Sequence, residues 1–186
     1  LQIICYSATG FFTSCNVIIT TRLREKSAFS GILIEDLVVT NRGVHCSVKE
    51  VISQSDMACK IHAAVDARID QNLQIVSLTD SVASEGVSSA IDRAQSYIEA
   101  GADITFVEAP TSKMELERIA NELQVPQIAN MVYGGKTPEV GKVQLAKLRF
   151  TLVLYANAIL PAALKASHEV LVSLNEHGGL ESVKKQ

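Results

Sequence analysis

The sequence predicts an α/β domain built on a parallel sheet, and two observations predict it. Six short apolar runs, at residues 2–6, 31–35, 73–78, 104–108, 127–131 and 150–155, are nearly continuous in hydrophobicity rather than alternating, as befits strands buried on both faces. Helical patterns separate them, giving a strand–helix repeat of about 30 residues, the arrangement of right-handed βαβ units. Barrels and doubly wound sheets both show this alternation.

Each helix has local reasons to form. Residues 53–68 place Met57, Ile61, Ala64 and Val65 on one stripe, with Asp56 and Lys60 outside it. Residues 88–100 repeat the idea through Ala90, Ile91, Ala94, Tyr97 and Ile98. Gly101 follows where a helix end favours a residue free to take positive φ. Ser112 is an N-cap for 112–123, with Glu115 three residues on as in a capping box. Residues 140–148 and 156–175 complete the series. Residues 17–28 make a less clean helix, weakened by Thr and Ile. No linker or low-complexity segment interrupts the pattern, so residues 1–186 read as a single domain.

Several strands end in polar groups: Glu35-Asp36, Thr79-Asp80, Glu108 and Asn130. In an α/β barrel the carboxyl ends of the strands face the active site, so these positions are candidates for chemistry.

Bulk composition narrows the function. The chain has 186 residues, 47% hydrophobic and 20% charged, with a net charge of −3. That balance is ordinary for a globular domain and gives no electrostatic case for nucleic acid or an anionic membrane. No apolar run is long enough to span a bilayer, and the start lacks a basic leader region. The expected compartment is cytoplasm or an organelle matrix, without secretion. Cys5, Cys15, Cys46 and Cys59 form no CxxC pair and read as free buried thiols. Cys46 beside His45 is too little for zinc. His62, His168 and His177 read as solvated, and Lys136 lacks P-loop spacing.

One ordered set of motifs extends along the chain. It comprises Gly31-Ile32-Leu33-Ile34-Glu35-Asp36, Lys49-Glu50-Val51, Lys60-Ile61-His62-Ala63-Ala64-Val65-Asp66-Ala67-Arg68, Thr79-Asp80 and Glu99-Ala100-Gly101-Ala102-Asp103. It continues with Phe106-Val107-Glu108-Ala109-Pro110, then residues 129–138, reading Ala-Asn-Met-Val-Tyr-Gly-Gly-Lys-Thr-Pro, and Leu154-Tyr155-Ala156-Asn157. In this order they resemble the isocitrate lyase and phosphoenolpyruvate mutase superfamily. That group includes methylisocitrate lyase, dimethylmalate lyase and oxaloacetate hydrolases. The resemblance implies a TIM-type (β/α)8 barrel of the phosphoenolpyruvate/pyruvate type, with residues 2–6 as its third strand. A full barrel takes about 250 residues, so an upstream segment carrying two further strands is expected. The resemblance also implies a homo-oligomer, with the helix at 156–175 packing on a neighbouring subunit.

The same resemblance implies chemistry. Members cleave or rearrange a bond beside a carboxylate, with Mg²⁺ stabilising the charge that develops. Their metal carboxylates come from an Asp-x-Asp-Thr-Gly strand end and the Glu of the next strand. Here the first reads Tyr6-Ser7-Ala8-Thr9-Gly10, so Tyr6 and Ala8 stand at the Asp positions and Glu35 alone remains as metal residue. Asp36 is expected on the other side of its strand. The acid/base loop Lys-Arg-Cys-Gly-His reads Asn41-Arg42-Gly43-Val44-His45, and Cys46 lies three residues past the lost Cys. Leu78 stands where an Arg grips the substrate carboxylate, Tyr133 where Glu is frequent, and Phe11-Phe12 where Tyr-Gly is frequent. The expected catalytic set is Glu35, His45 and Glu108. Thr9, Gly10, Arg42 and Asn130 are expected to bind a small carboxylic or keto acid.

Three readings follow: lyase activity weakened or lost, a metal-free keto-acid decarboxylase or hydrolase, and a non-catalytic binding protein. A fourth holds that the chain is a piece of a longer protein.

Overall fold

The computed structural model describes residues 2–11, 13–38 and 50–179. Strand and helix alternate from end to end. They run β1 (Ile4–Tyr6), α1 (Ser14–Lys26), β2 (Gly31–Glu35), α2 (Gln54–Ala67), β3 (Gln74–Thr79) and α3 (Val82–Glu99). The second half is β4 (Ile104–Val107), α4 (Lys113–Glu122), β5 (Gln127–Asn130), α5 (Lys142–Lys147), β6 (Phe150–Leu154) and α6 (Ile159–His177). All six strands are parallel and lie in sequence order, forming a half-barrel wall with β1 and β6 at its two edges.

Strand parity divides the core into two sides, because successive side chains point to opposite faces. Leu33, Val76, Leu78, Phe106 and Ile128 form the inner cluster, with Ile4, Ile104, Leu152 and Leu154 packed beside it. On the outer side Ile32, Ile34 and Ile75 meet Met57, Ile61, Ala64 and Tyr97 from the helices. A second outer cluster joins Ile91, Ala94, Leu116 and Ile119 to Val107, Ala129 and Phe150.

The helix starts follow capping chemistry. Thr13, Ser53 and Ser112 accept hydrogen bonds from the amides of Asn16, Asp56 and Glu115. The Glu115 carboxylate closes its box on the Thr111 amide, one residue before the cap. Gly101 has φ of 102°, and a Cβ there would lie 3.0 Å from Val65, so both conformation and space call for glycine.

Three sequence expectations need correction. α3 begins at Val82 rather than Ser88; Gly86 leaves helical geometry at φ 84°, and the apolar stripe becomes regular only after it. Lys60 is buried at 5% exposure rather than lying outside the α2 stripe. Its ammonium reaches the Thr9 carbonyl at 2.9 Å. Cys15 and Cys59 are exposed free thiols and Cys5 is half-buried; their helices and edge strand present those positions outward. Cys46 lies outside the described residues.

His62 is exposed beside Asp66, and His168 and His177 are exposed, as expected. Among the described residues no helix is long and apolar enough to cross a membrane.

Candidate functional site

The inner face of the wall generates the site by simple alternation. Two residues beyond the apolar positions Ile4, Leu33, Leu78, Phe106 and Ile128 come Tyr6, Glu35, Asp80, Glu108 and Asn130. A cavity of about 460 Å³ is floored by the first set and rimmed by the second. The structure brings together Glu35, Asp80, Glu108 and Asn130, which the sequence presents as strand-end polar groups, and sets Tyr6 beside them. The parity of β1 is the signal that identifies Tyr6 as a rim residue.

Rim groups are held by one another and by backbone. The Tyr6 hydroxyl donates a hydrogen bond to Glu35 Oε2 across the β1–β2 pair. Burial, and then the Glu35 carboxylate, push the Tyr6 phenol well above its ordinary range, so it keeps its proton. The Glu35 amide donates to the Ala8 carbonyl at 2.9 Å. Asn130 Nδ2 donates to both Glu108 oxygens at 3.3 Å. Asn130 Oδ1 is buried without a donor among the described residues.

Asp36 points away from the cavity, as strand alternation requires. It is fully buried and accepts from Tyr97 Oη at 2.9 Å and from the Asp80 amide at 3.0 Å. Arg93 Nη1 stands 3.8 Å from it. Arg93 Nε and Nη2 each donate to Glu85 at 2.7 Å, and Nη1 donates to the Ile52 carbonyl at 2.9 Å. Burial raises the Asp36 pKa against the lowering effect of its hydrogen bonds and of Arg93. This network fixes the backbone from which Asp80 enters the rim. Sequence reading missed it, although a charged residue just past a buried strand requires partners.

Thr9 and Gly10 lie in the turn after β1 and are not among the residues that line the cavity. Thr9 is buried with its carbonyl on Lys60, and Gly10 has φ of 69° with Val17 Cγ2 only 2.4 Å from where a Cβ would stand. Arg42 and His45 lie outside the described residues. A second cavity, also about 460 Å³, is lined by residues 131–139 with Tyr155 and Ala158. There Asn157 pins the loop by accepting from the Tyr133 amide at 2.9 Å and donating to its carbonyl at 3.1 Å.

Magnesium requires several oxygen ligands in near-octahedral array. Among the described residues no group of three or more His, Cys, Asp or Glu is arranged to hold a metal. Glu35 already carries the Tyr6 proton donor, and Ala8 offers no side-chain ligand. These residues do not fit the ion.

A parallel wall with its acids gathered at the carboxyl ends of the strands defines an α/β barrel of the (β/α) type. The phosphoenolpyruvate phosphomutase family model matches residues 7–175, and the chain belongs to the phosphoenolpyruvate mutase/isocitrate lyase superfamily. It is 35% identical over 174 residues to 2,3-dimethylmalate lyase of Eubacterium barkeri, matching 94% of this chain and 60% of that protein. It is 40% identical over 178 residues to 2-methylisocitrate lyase of Aeropyrum pernix, matching 96% of this chain and 57% of that protein. The crystal structure of phosphonopyruvate hydrolase in complex with oxalate and Mg²⁺ superimposes with a TM-score of 0.83 at 25% identity, covering 98% of this chain and 64% of that one. The chain thus spans about 60% of the length of the curated relatives it matches.

Proposed function

We propose that the chain carries the scaffold of a carbon–carbon lyase for a small 2-hydroxy dicarboxylate or keto acid, with the lyase chemistry weakened or lost. The lyase relatives named above support the reaction class. The observation that carries the loss is Leu78. It forms part of the cavity floor, at the place where the family resemblance puts a guanidinium for the substrate carboxylate. No Lys or Arg lines that cavity among the described residues, so an anionic substrate meets acids and hydrocarbon. Arg supplies a planar bidentate fork that Leu cannot replace. Loss of one strong electrostatic group costs about 10² to 10³ in rate, and here the two metal Asp positions and the loop Cys are replaced as well.

A second reading is supported by the placement of Glu35 and Glu108 on one cavity with the Tyr6 proton between strands. In it, Glu35, Glu108 and His45 act on a keto acid without metal, in a decarboxylation or hydrolysis. Asn130, and Arg42 by the family resemblance, then hold the acid group. In either reading the protein is a homo-oligomer, with α6 packed on a neighbouring subunit. The exposure of Ile159, Leu160, Leu164 and Leu171 supports that arrangement.

Pyruvate release from 2,3-dimethylmalate and from 2-methylisocitrate, with Mg²⁺ present, tests the first reading. The expected turnover lies at least about 10³-fold below the usual enzyme range of ~1–10³ s⁻¹. Turnover within that range refutes the loss. Decarboxylation of oxaloacetate that persists in EDTA selects the second reading.

A further inference from the structure

We propose that the Tyr6 hydroxyl takes the place of a divalent cation on Glu35, so that a phenol proton closes the strand-end rim of this chain and excludes Mg²⁺. This concerns what the rim binds, and it goes beyond whether the chain turns over a substrate.

Several observations converge on it. The Tyr6 ring enters the cavity from edge strand β1, and its hydroxyl donates directly to Glu35 Oε2. The O–H takes one lone pair of Oε2 and sets its proton and ring on the side of the carboxylate where a shared cation would have to lie. Glu35 is 7% exposed, so its charge needs compensation from within the protein, and the hydroxyl is positioned to supply it. Two further acids near Glu35 have donors of their own. Asn130 directs its amide at both oxygens of Glu108. Asp36 faces the far side, toward Tyr97 and Arg93. Lys60 brings an ammonium from α2 to the turn that follows β1, where it binds the Thr9 carbonyl at 2.9 Å. Glu35, Glu108 and Asp36 thus each bond to a donor of the chain itself.

Metal-free protein titrated with Mn²⁺ tests this, read by the loss of the free-ion electron paramagnetic resonance signal. The wild type is expected to leave the signal unchanged at protein and metal concentrations of a few hundred micromolar. Tyr6→Asp, which replaces a side chain that is 59% exposed, is expected to bind Mn²⁺ at least about tenfold more tightly, since a second carboxylate then joins Glu35. The Tyr6→Asp/Ala8→Asp double variant is expected to bind more tightly still. Ala8 has φ of 46°, a region in which Asp is less disfavoured than Ala.

Micromolar Mn²⁺ binding by the wild type, abolished by Glu35→Gln, overturns the proposal. So does a Tyr6→Asp protein that melts like the wild type and gains no binding. The reading under Proposed function fails separately: wild-type lyase turnover refutes that reading, whereas wild-type Mn²⁺ binding refutes only this inference.

Discussion

The centre of the wall and its C-terminal edge use the same apolar vocabulary to opposite ends. In β2 and β3, with α2 and α3, Ile32, Ile75, Met57, Ile61 and Tyr97 are completely buried. The charges there are matched as well, Asp36 with Tyr97 and Arg93, and Arg93 with Glu85. At the other end α6 buries only Ser173 and leaves Ile159 83% and Leu164 61% exposed. Both helical regions are amphipathic. The difference is that the described residues supply an opposing face to α2 and α3 and none to the exposed stripe of α6. A hydrophobic stripe therefore records that something packs there, and only the neighbours reveal whether this chain provides it. Burial of one Leu side chain is worth about 1.5–3 kcal/mol, which makes the α6 stripe a strong drive to association.

Three perturbations would break or sharpen this contrast. The largest effect is expected from Asp36→Ala at the centre. It leaves the Tyr97 hydroxyl and the Asp80 amide buried without their acceptor, and each buried group left unsatisfied costs about 1–3 kcal/mol. Urea unfolding monitored by circular dichroism checks it; a loss under about 1 kcal/mol would mean that the network is not what secures the centre.

A smaller effect is expected at the network's margin. Hydrogen bonds from Arg93 hold the Glu85 carboxyl below the usual carboxylate range. On acidification the unfolded chain therefore takes up this proton first, near the ordinary glutamate value of about 4.3. The stabilisation is present above that pH and is lost as pH falls through the lower folded-state value. Glu85→Gln is expected to cost about 1–2 kcal/mol at neutral pH and to show a shallower loss of stability from pH 5 to 3 than the wild type. Parallel pH profiles from the two proteins would contradict the assignment.

The smallest effect on the fold belongs to α6. Leu164→Glu with Leu171→Glu is expected to change the stability of the chain by no more than about 0.5 kcal/mol. The same pair is expected to shift sedimentation toward smaller species. The wild type should associate, because its apolar helix face and two open sheet edges invite pairing. A wild type that sediments as a monodisperse monomer at micromolar concentration would break the comparison at its weaker end.

The legibility of the chain varied with the range of the interaction. Strand runs, the Ser112 cap and the Gly101 stop were readable because each depends on a few neighbouring residues. The start of α3 was not, because Gly86 interrupts the periodicity that marks a helix. Lys60 was misread because a charged residue beside an apolar stripe normally points to water; a carbonyl 51 residues away draws it inward. Glu35, Glu108 and Asn130 were readable as strand-end groups, and their gathering on one cavity follows from parity. Tyr6 was readable only as a substitution, with no indication of what its hydroxyl would bond.

The sequence by itself determined the parallel α/β architecture and which side chains share the inner face, since both follow from periodicities set within a single strand or helix. The tertiary structure decided the pairings: Tyr6 with Glu35, Asn130 with Glu108, Asp36 with Tyr97. Those depend on strand register and on helix packing across intervals of 22 to 61 residues. A buried polar group bonds to whichever donor the assembled chain sets within about 3 Å, and no local rule specifies which residue that will be.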